Sequence, residues 1–164
     1  MATERKVDFR YTEYSSATEV DATELELLQE AEKALSNAYA PYSHFKVGAA
    51  IRLDSGDIYT GNNQENVAYP SGLCAERVAL FHAMSKNPNA IVRSVAIAAE
   101  AEDFELSRVI TPCGACRQAL LEYEVNSASP IKVILGNSSG PIIIVDSVLS
   151  LLPLSFCETK LKKD

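Results

Sequence analysis

No run in these 164 residues approaches the ~20 consecutive apolar positions that a membrane span needs. The opening stretch, MATERKVDFRYTEYSS, lacks the apolar core of a secretory signal, so a cytoplasmic protein is expected. Cationic residues are scarce. Fifteen Lys and Arg stand against 22 Asp and Glu, for a net charge of −7. The densest cationic cluster is the tail KLKKD, Lys160 to Asp164, which reads as a solvated end. A nucleic-acid polymer calls for a basic stripe, and this chain has none. The same shortage argues against a substrate carrying several phosphates. There is no internal repeat and no low-complexity tract.

What remains is an ordinary globular composition, 47% hydrophobic, at a length that suits one domain. Residues 1–20 show no clear periodicity and read as an N-terminal extension, with the domain proper over 21–164. Thr23 and Glu26 have the spacing of a capping box, opening a helix with Leu25, Leu28, Ala31, Leu35 and Ala38 on one face. Pro41 closes it. Val47–Leu53 and Ile58–Gly61 read as a hairpin across DSGD, followed by the polar loop NNQENVAYPSG. A second helix starts near Cys74, carries Val78, Leu80 and Phe81, and stops before Pro88. Ile91–Ala99 is a buried strand, Gly114–Tyr123 a third helix, and Ile131–Leu135 and Ile142–Val145 are strands. Asp146 is placed to cap a last short helix ending at Pro153. Helices alternating with strands predict a mixed sheet covered on both faces.

Three of the four cysteines lie in two short stretches, SGLCAERVALF and TPCGACRQAL. In a cytoplasmic chain, thiols are metal ligands or reactive groups rather than disulfide partners. Cys113 and Cys116, at i and i+3 in a first helical turn, share one side of the helix. Cys74 begins the other helix. Unsatisfied N–H groups at both helix starts favour the thiolates that zinc requires. Three thiolates leave one coordination position open, as a catalytic zinc does.

Glu76, two residues beyond Cys74, could reach that position without binding the metal. It could then take a proton from water there and pass it to a leaving group. Arg77 answers a charge problem: zinc with three thiolates is net −1, and a guanidinium donating to sulfur restores Lewis acidity. A closed structural zinc would need His44, His82 or Cys157 as fourth ligand. His82 lies at least ~10 Å along the helix from Cys74, too far to share a metal. A thioredoxin-like use of CxxC lacks the preceding strand.

With these residues in hand, the chain resembles the homotetrameric zinc-dependent cytidine deaminase family. The resemblance rests on PYSHFKVGAA, NQEN, CAER, PCGACRQ and LLPLSF, in that order, over about residues 22–161. It implies a three-layer α/β/α sandwich around a five-stranded mixed sheet, one Zn²⁺ per chain and a homotetramer. The implied activity is hydrolytic deamination of cytidine and 2′-deoxycytidine in pyrimidine salvage, by attack of zinc-activated hydroxide at C4 with Glu76 shuttling the proton. By position, Asn63 and Glu65 would hold the ribose 3′-hydroxyl and Phe45 would pack on the base. The carbonyl of Thr111 would accept from the exocyclic amine, and the N–H of Ala75 would donate to the pyrimidine oxygen. Tyr69 and Phe156 would reach a neighbouring subunit's pocket.

Three departures from the family pattern stand out: Thr111 stands where serine is usual, Val67 replaces a smaller residue, and residues 1–20 have no counterpart. A deaminase of a modified nucleoside or nucleoside antibiotic is the runner-up, though the intact Asn63-Gln64-Glu65 favours the plain nucleoside. A deoxycytidylate deaminase would be expected to use a histidine ligand and a phosphate-binding basic group, neither of which is evident. A non-catalytic zinc domain used for assembly is the alternative from another class.

Overall fold

In the computed structural model, which describes residues 2–158, strand residues alternate between two separate cores. The Lys160–Asp164 tail lies outside the described residues. Six strands form one sheet: β1 (Thr12–Tyr14), β2 (Phe45–Leu53), β3 (Ile58–Asn62), β4 (Val92–Ala101), β5 (Lys132–Gly136) and β6 (Ile142–Val145). Their order is β1-β6-β5-β4-β2-β3, with β4 and β5 parallel and every other pair antiparallel. Ala49, Ile51, Val95, Ile97, Val133 and Leu135 pack with α2 (Ala75–Lys86) and α3 (Gly114–Ser127). Their sequence neighbours Ala50, Ala96, Ala98 and Ile134 pack with α1 (Ala22–Ala34) on the other face. The period of two in a pleated strand sorts them. The result is a three-layer α/β/α sandwich.

Two glycines set how closely the helices approach. A Cβ on Gly48 would stand 2.0 Å from the Ala31 carbonyl oxygen of α1, and one on Gly61 would stand 2.4 Å from the Ala79 nitrogen of α2. Any side chain at either position would lift a helix off the sheet.

The structure corrects the sequence reading in several places. The sheet has six strands rather than five, because Thr12 pairs with Ile144 and Tyr14 with Ile142. β1 therefore covers the β6 edge, which would otherwise present unpaired backbone groups. The N-cap of α1 is Asp21, which accepts from the Thr23 N–H at 2.9 Å, so Thr23 does not form the capping box. Glu26 instead accepts from Arg52 of β2 at 2.8 Å. In α2 the core face is Ala75, Ala79, Leu80, Ala83 and Met84, and Phe81 is exposed. The last short helix is a 3₁₀ turn, Val148–Leu151, capped by Ser147 rather than Asp146.

Candidate metal centre and substrate cavity

Cys74 and Cys113 are the N-cap residues of α2 and α3, both with extended backbone. Helices usually put Ser, Thr, Asp or Asn there, whose oxygen bonds an unpaired N–H. Neither thiol makes such a bond. Each is left free at the positive end of a helix, where a thiolate is favoured. Cys116, one turn into α3, is fully buried and faces them. Sγ of Cys113 lies 3.9 Å from that of Cys74 and 3.5 Å from that of Cys116, and all three sulfurs fall within 4.8 Å of one another. Thiolates on a tetrahedral zinc at ~2.3 Å would sit about 3.8 Å apart. The cluster fits that ion.

The surroundings push the sulfurs in opposite directions. The Cys74 thiol is lowered to about 5, first by the hydrogen bond from Cys116, then by donation from Arg77 and Cys113, against the opposing effect of burial. Cys116 is pushed up by donating to Cys74, by burial and by the charge of Glu76. Arg77 directs Nη2 to Cys74 Sγ at 3.9 Å. Glu76 is only 4% exposed. Burial raises its carboxyl above the ordinary carboxylate range, and the neighbouring Cys74 charge adds to the rise.

A cavity of about 670 Å³ opens onto this cluster, of the size that takes a small molecule. Phe45, Asn63, Glu65, Tyr69, Glu76 and Thr111 all line it. Asn63 is held rigidly, its Oδ1 accepting from Val47 N–H at 2.8 Å and its Nδ2 donating to the Phe45 carbonyl at 2.9 Å. One amide hydrogen remains for a ligand. Glu65 accepts from the Ser43 hydroxyl and from the Tyr42 N–H at 2.9 Å, which lowers its carboxyl. Tyr69 meets Tyr42 edge to face, centroids 6.5 Å apart, in its own chain's cavity. Ala75 is buried in the core, and as the first residue of α2 its N–H lies outside the helical ladder. Phe156 stands apart from the cavity lining, 73% exposed.

Among the described residues, neither histidine nor Cys157 joins the metal group. His44, at a left-handed φ of 52°, pairs with Asp103 through Nδ1 at 3.1 Å, and His82 packs edge-on against Tyr59.

Two residues that sequence reasoning missed support the site. Arg117 donates from Nε to the Pro112 carbonyl at 2.7 Å and from Nη2 to the Thr111 hydroxyl at 3.3 Å, bracing the segment that leads into Cys113. Glu124 is buried in α3 and accepts from Ile131 N–H at 2.8 Å, Ser147 Oγ at 2.6 Å and Val148 N–H at 2.9 Å. It fixes α3 to the start of β5 and to the last helical turn. The signal for Arg117 was its position one residue past the CxxC pair. Glu124 had none.

Cys74, Cys113 and Cys116 are placed to hold a zinc ion, and Glu76 lies buried beside them. The class is a zinc-dependent hydrolase. The sequence pattern of the cytidine and deoxycytidylate deaminase zinc-binding region matches residues 21–129. A cytidine deaminase of Halalkalibacterium halodurans is 41% identical over 130 residues, covering 79% of this chain and 91% of the relative. One of Sporosarcina psychrophila is 41% identical over 82% of this chain and 92% of its own length. Among solved structures, the cytidine deaminase of Burkholderia pseudomallei superposes with a TM-score of 0.70 at 37% identity, over 80% of this chain and 97% of that one. The chain belongs to the cytidine and deoxycytidylate deaminase zinc-binding family.

Proposed function

We infer that the chain hydrolyses the exocyclic amine of cytidine and 2′-deoxycytidine, consuming water and giving uridine or 2′-deoxyuridine plus ammonia. The observation that carries this reading is Glu76, buried at a three-thiol cluster beside a cavity with room for a nucleoside. Bound to Cys74, Cys113 and Cys116, zinc supplies the Lewis acidity that makes water nucleophilic near neutral pH. Glu76 accepts the proton that water loses and delivers it to the departing amine. Burial makes its carboxyl hold a proton more readily than an exposed one, which suits a group that must carry a proton between two partners. Arg77 offsets the excess charge of the thiolates.

In this reading Phe45 packs on the base, and Asn63 and Glu65 hold the ribose 3′-hydroxyl. The Thr111 carbonyl accepts from the amine, and the Ala75 N–H donates to the pyrimidine oxygen. Tyr69 and Phe156 act across subunits of a homotetramer. The deaminase domain is taken as residues 21–164, with 1–20 an added segment, in a cytoplasmic enzyme of pyrimidine salvage. No helix of the described residues is long and apolar enough to cross a membrane.

A nucleoside is favoured over a nucleotide by the cavity's charge. Arg77 is the one cation among its lining residues, and it is turned to Cys74. Nothing comparable is left to meet a 5′-phosphate. The test is ammonia release from cytidine and from deoxycytidylate by protein carrying one zinc per chain. Release from the nucleoside with little from the nucleotide is expected. Preference for deoxycytidylate, or no release from either, would remove the reading.

A further inference from the structure

The helical turn that follows the metal thiols also holds the far end of the chain. Besides its bonds to Thr111 and Pro112, Arg117 donates from Nη1 to the Leu151 carbonyl at 3.0 Å. The next residue, Gln118, donates from Nε2 to the Phe156 carbonyl at 2.9 Å. Consecutive residues of α3 thus pin both ends of the segment 151–156. Between and at these pins stand large apolar side chains that their own chain does not bury: Leu154 is 94% exposed and Phe156 73%. Leu151 and Leu152 at the near end pack on the core, but beyond them core packing does not hold the segment where it is. Side-chain donation to its carbonyls does.

We propose that Gln118 is a positioning residue for Phe156, fixing where that ring projects relative to the zinc thiols carried by the same helix. Arg117 supplies the near anchor and Gln118 the far one. The inference rests on the reading of Phe156 as a substrate contact in a neighbouring subunit. Chemistry at this position is specific. The bond needs an N–H donor facing a carbonyl oxygen, so a glutamate of equal length would repel what glutamine holds. Without the tether, Phe156 would sample many placements, few of them productive, and binding would weaken while the groups at the metal stayed intact.

The test is steady-state kinetics on cytidine with the full zinc-loaded chain as parent, Gln118→Glu, Phe156→Ala and the double variant. Zinc content is measured alongside. Gln118→Glu should keep one zinc per chain and hold kcat within about twofold, since nothing at the reacting atoms has changed. KM should rise about 2- to 10-fold, the factor one hydrogen bond supports. The double variant should be no worse than Phe156→Ala alone, because the tether acts only through that ring. If Phe156→Ala raises KM and Gln118→Glu does not, the tether is overturned. Losses that add in the double variant overturn it too, as would zinc loss in Gln118→Glu. A Phe156→Ala protein with unchanged KM removes the reading of Phe156 itself, and the proposal with it.

Discussion

Arg77 and Cys74 lie one helical turn apart on α2, with the guanidinium Nη2 3.9 Å from the sulfur. After the hydrogen bond from Cys116, this contact helps to lower the Cys74 thiol, and it raises the arginine, so each stabilises the charge of the other. With zinc bound, the same contact would temper three thiolates whose summed charge exceeds that of the ion. Arg77→Gln should retain the fold, because the position is only partly buried. Metal affinity or kcat/KM should fall about 10- to 100-fold, as for other residues that support a ligand from behind. Zinc titration and cytidine kinetics measure both, and parent-like values in each would remove the charge-balancing role.

Glu76→Gln separates proton transfer from metal binding. The amide has the shape of the acid but cannot shuttle a proton. Zinc should remain at one per chain while kcat drops at least ~10²-fold. The buried site should accept the amide readily, because the native carboxyl already bears a desolvation penalty. Near-normal turnover by the zinc-loaded variant would sink the assignment.

The metal cluster was legible because its logic is local. Two cysteines a helical turn apart, and a Cys-x-Glu at another helix start, announce their geometry in a few residues. A sheet covered on both faces was legible because helices alternate with strands along the chain and Val95 to Ala99 is apolar throughout. What the sequence hid depends on distant partners. Glu124 looks like any surface glutamate of a helix, and its buried partners are the N–H groups of Ile131, just before β5, and of Val148 in the last turn. Three-residue β1 has no periodicity to detect and is defined by its pairing with β6. Thr23 and Asp21 are both acceptable caps; Asp21 takes the Thr23 N–H, and Glu26, the other half of the expected box, pairs with Arg52 on the sheet. Phe81 sits in an apolar run, yet small alanines take the inward face of α2, where Gly61 lets the backbone come close.

Removing zinc should cost stability as well as activity. The thiols at the N-termini of α2 and α3 form no disulfide, so no covalent link would take the place of the metal there. Cys113→Ala should lose both zinc and thermal stability, and a strong chelator should lower the Tm of the parent toward that of the variant. Equal melting temperatures with and without chelator, at confirmed metal loss, would show that the ion contributes chemistry alone.

The sugar contact predicts a graded response to hydroxyl removal. If Glu65 reads only the 3′-hydroxyl, cytidine and 2′-deoxycytidine should both be good substrates. 2′,3′-Dideoxycytidine should lose about 10-fold or more in kcat/KM, the scale of one hydrogen bond to a charged acceptor. Equal kcat/KM for the two deoxy compounds would contradict the assignment.

Glu65 also braces the cavity wall, and that role has a pH signature. Its carboxylate accepts from Ser43 and from the Tyr42 N–H, which lowers it below the ordinary 4.5. The folded protein therefore binds this proton less readily than the unfolded chain does. The carboxylate's contribution to stability is fully present above 4.5 and is lost as pH falls through the lowered folded value. Glu65→Gln cannot titrate, so its Tm should lie below that of the parent near neutrality, and the gap should close in acid. Zinc loss in acid is shared by both proteins and leaves the difference between them interpretable. A Tm gap that stays constant from neutrality to well below pH 4.5 would mean that the charge on Glu65 does not hold the Tyr42–Ser43 turn.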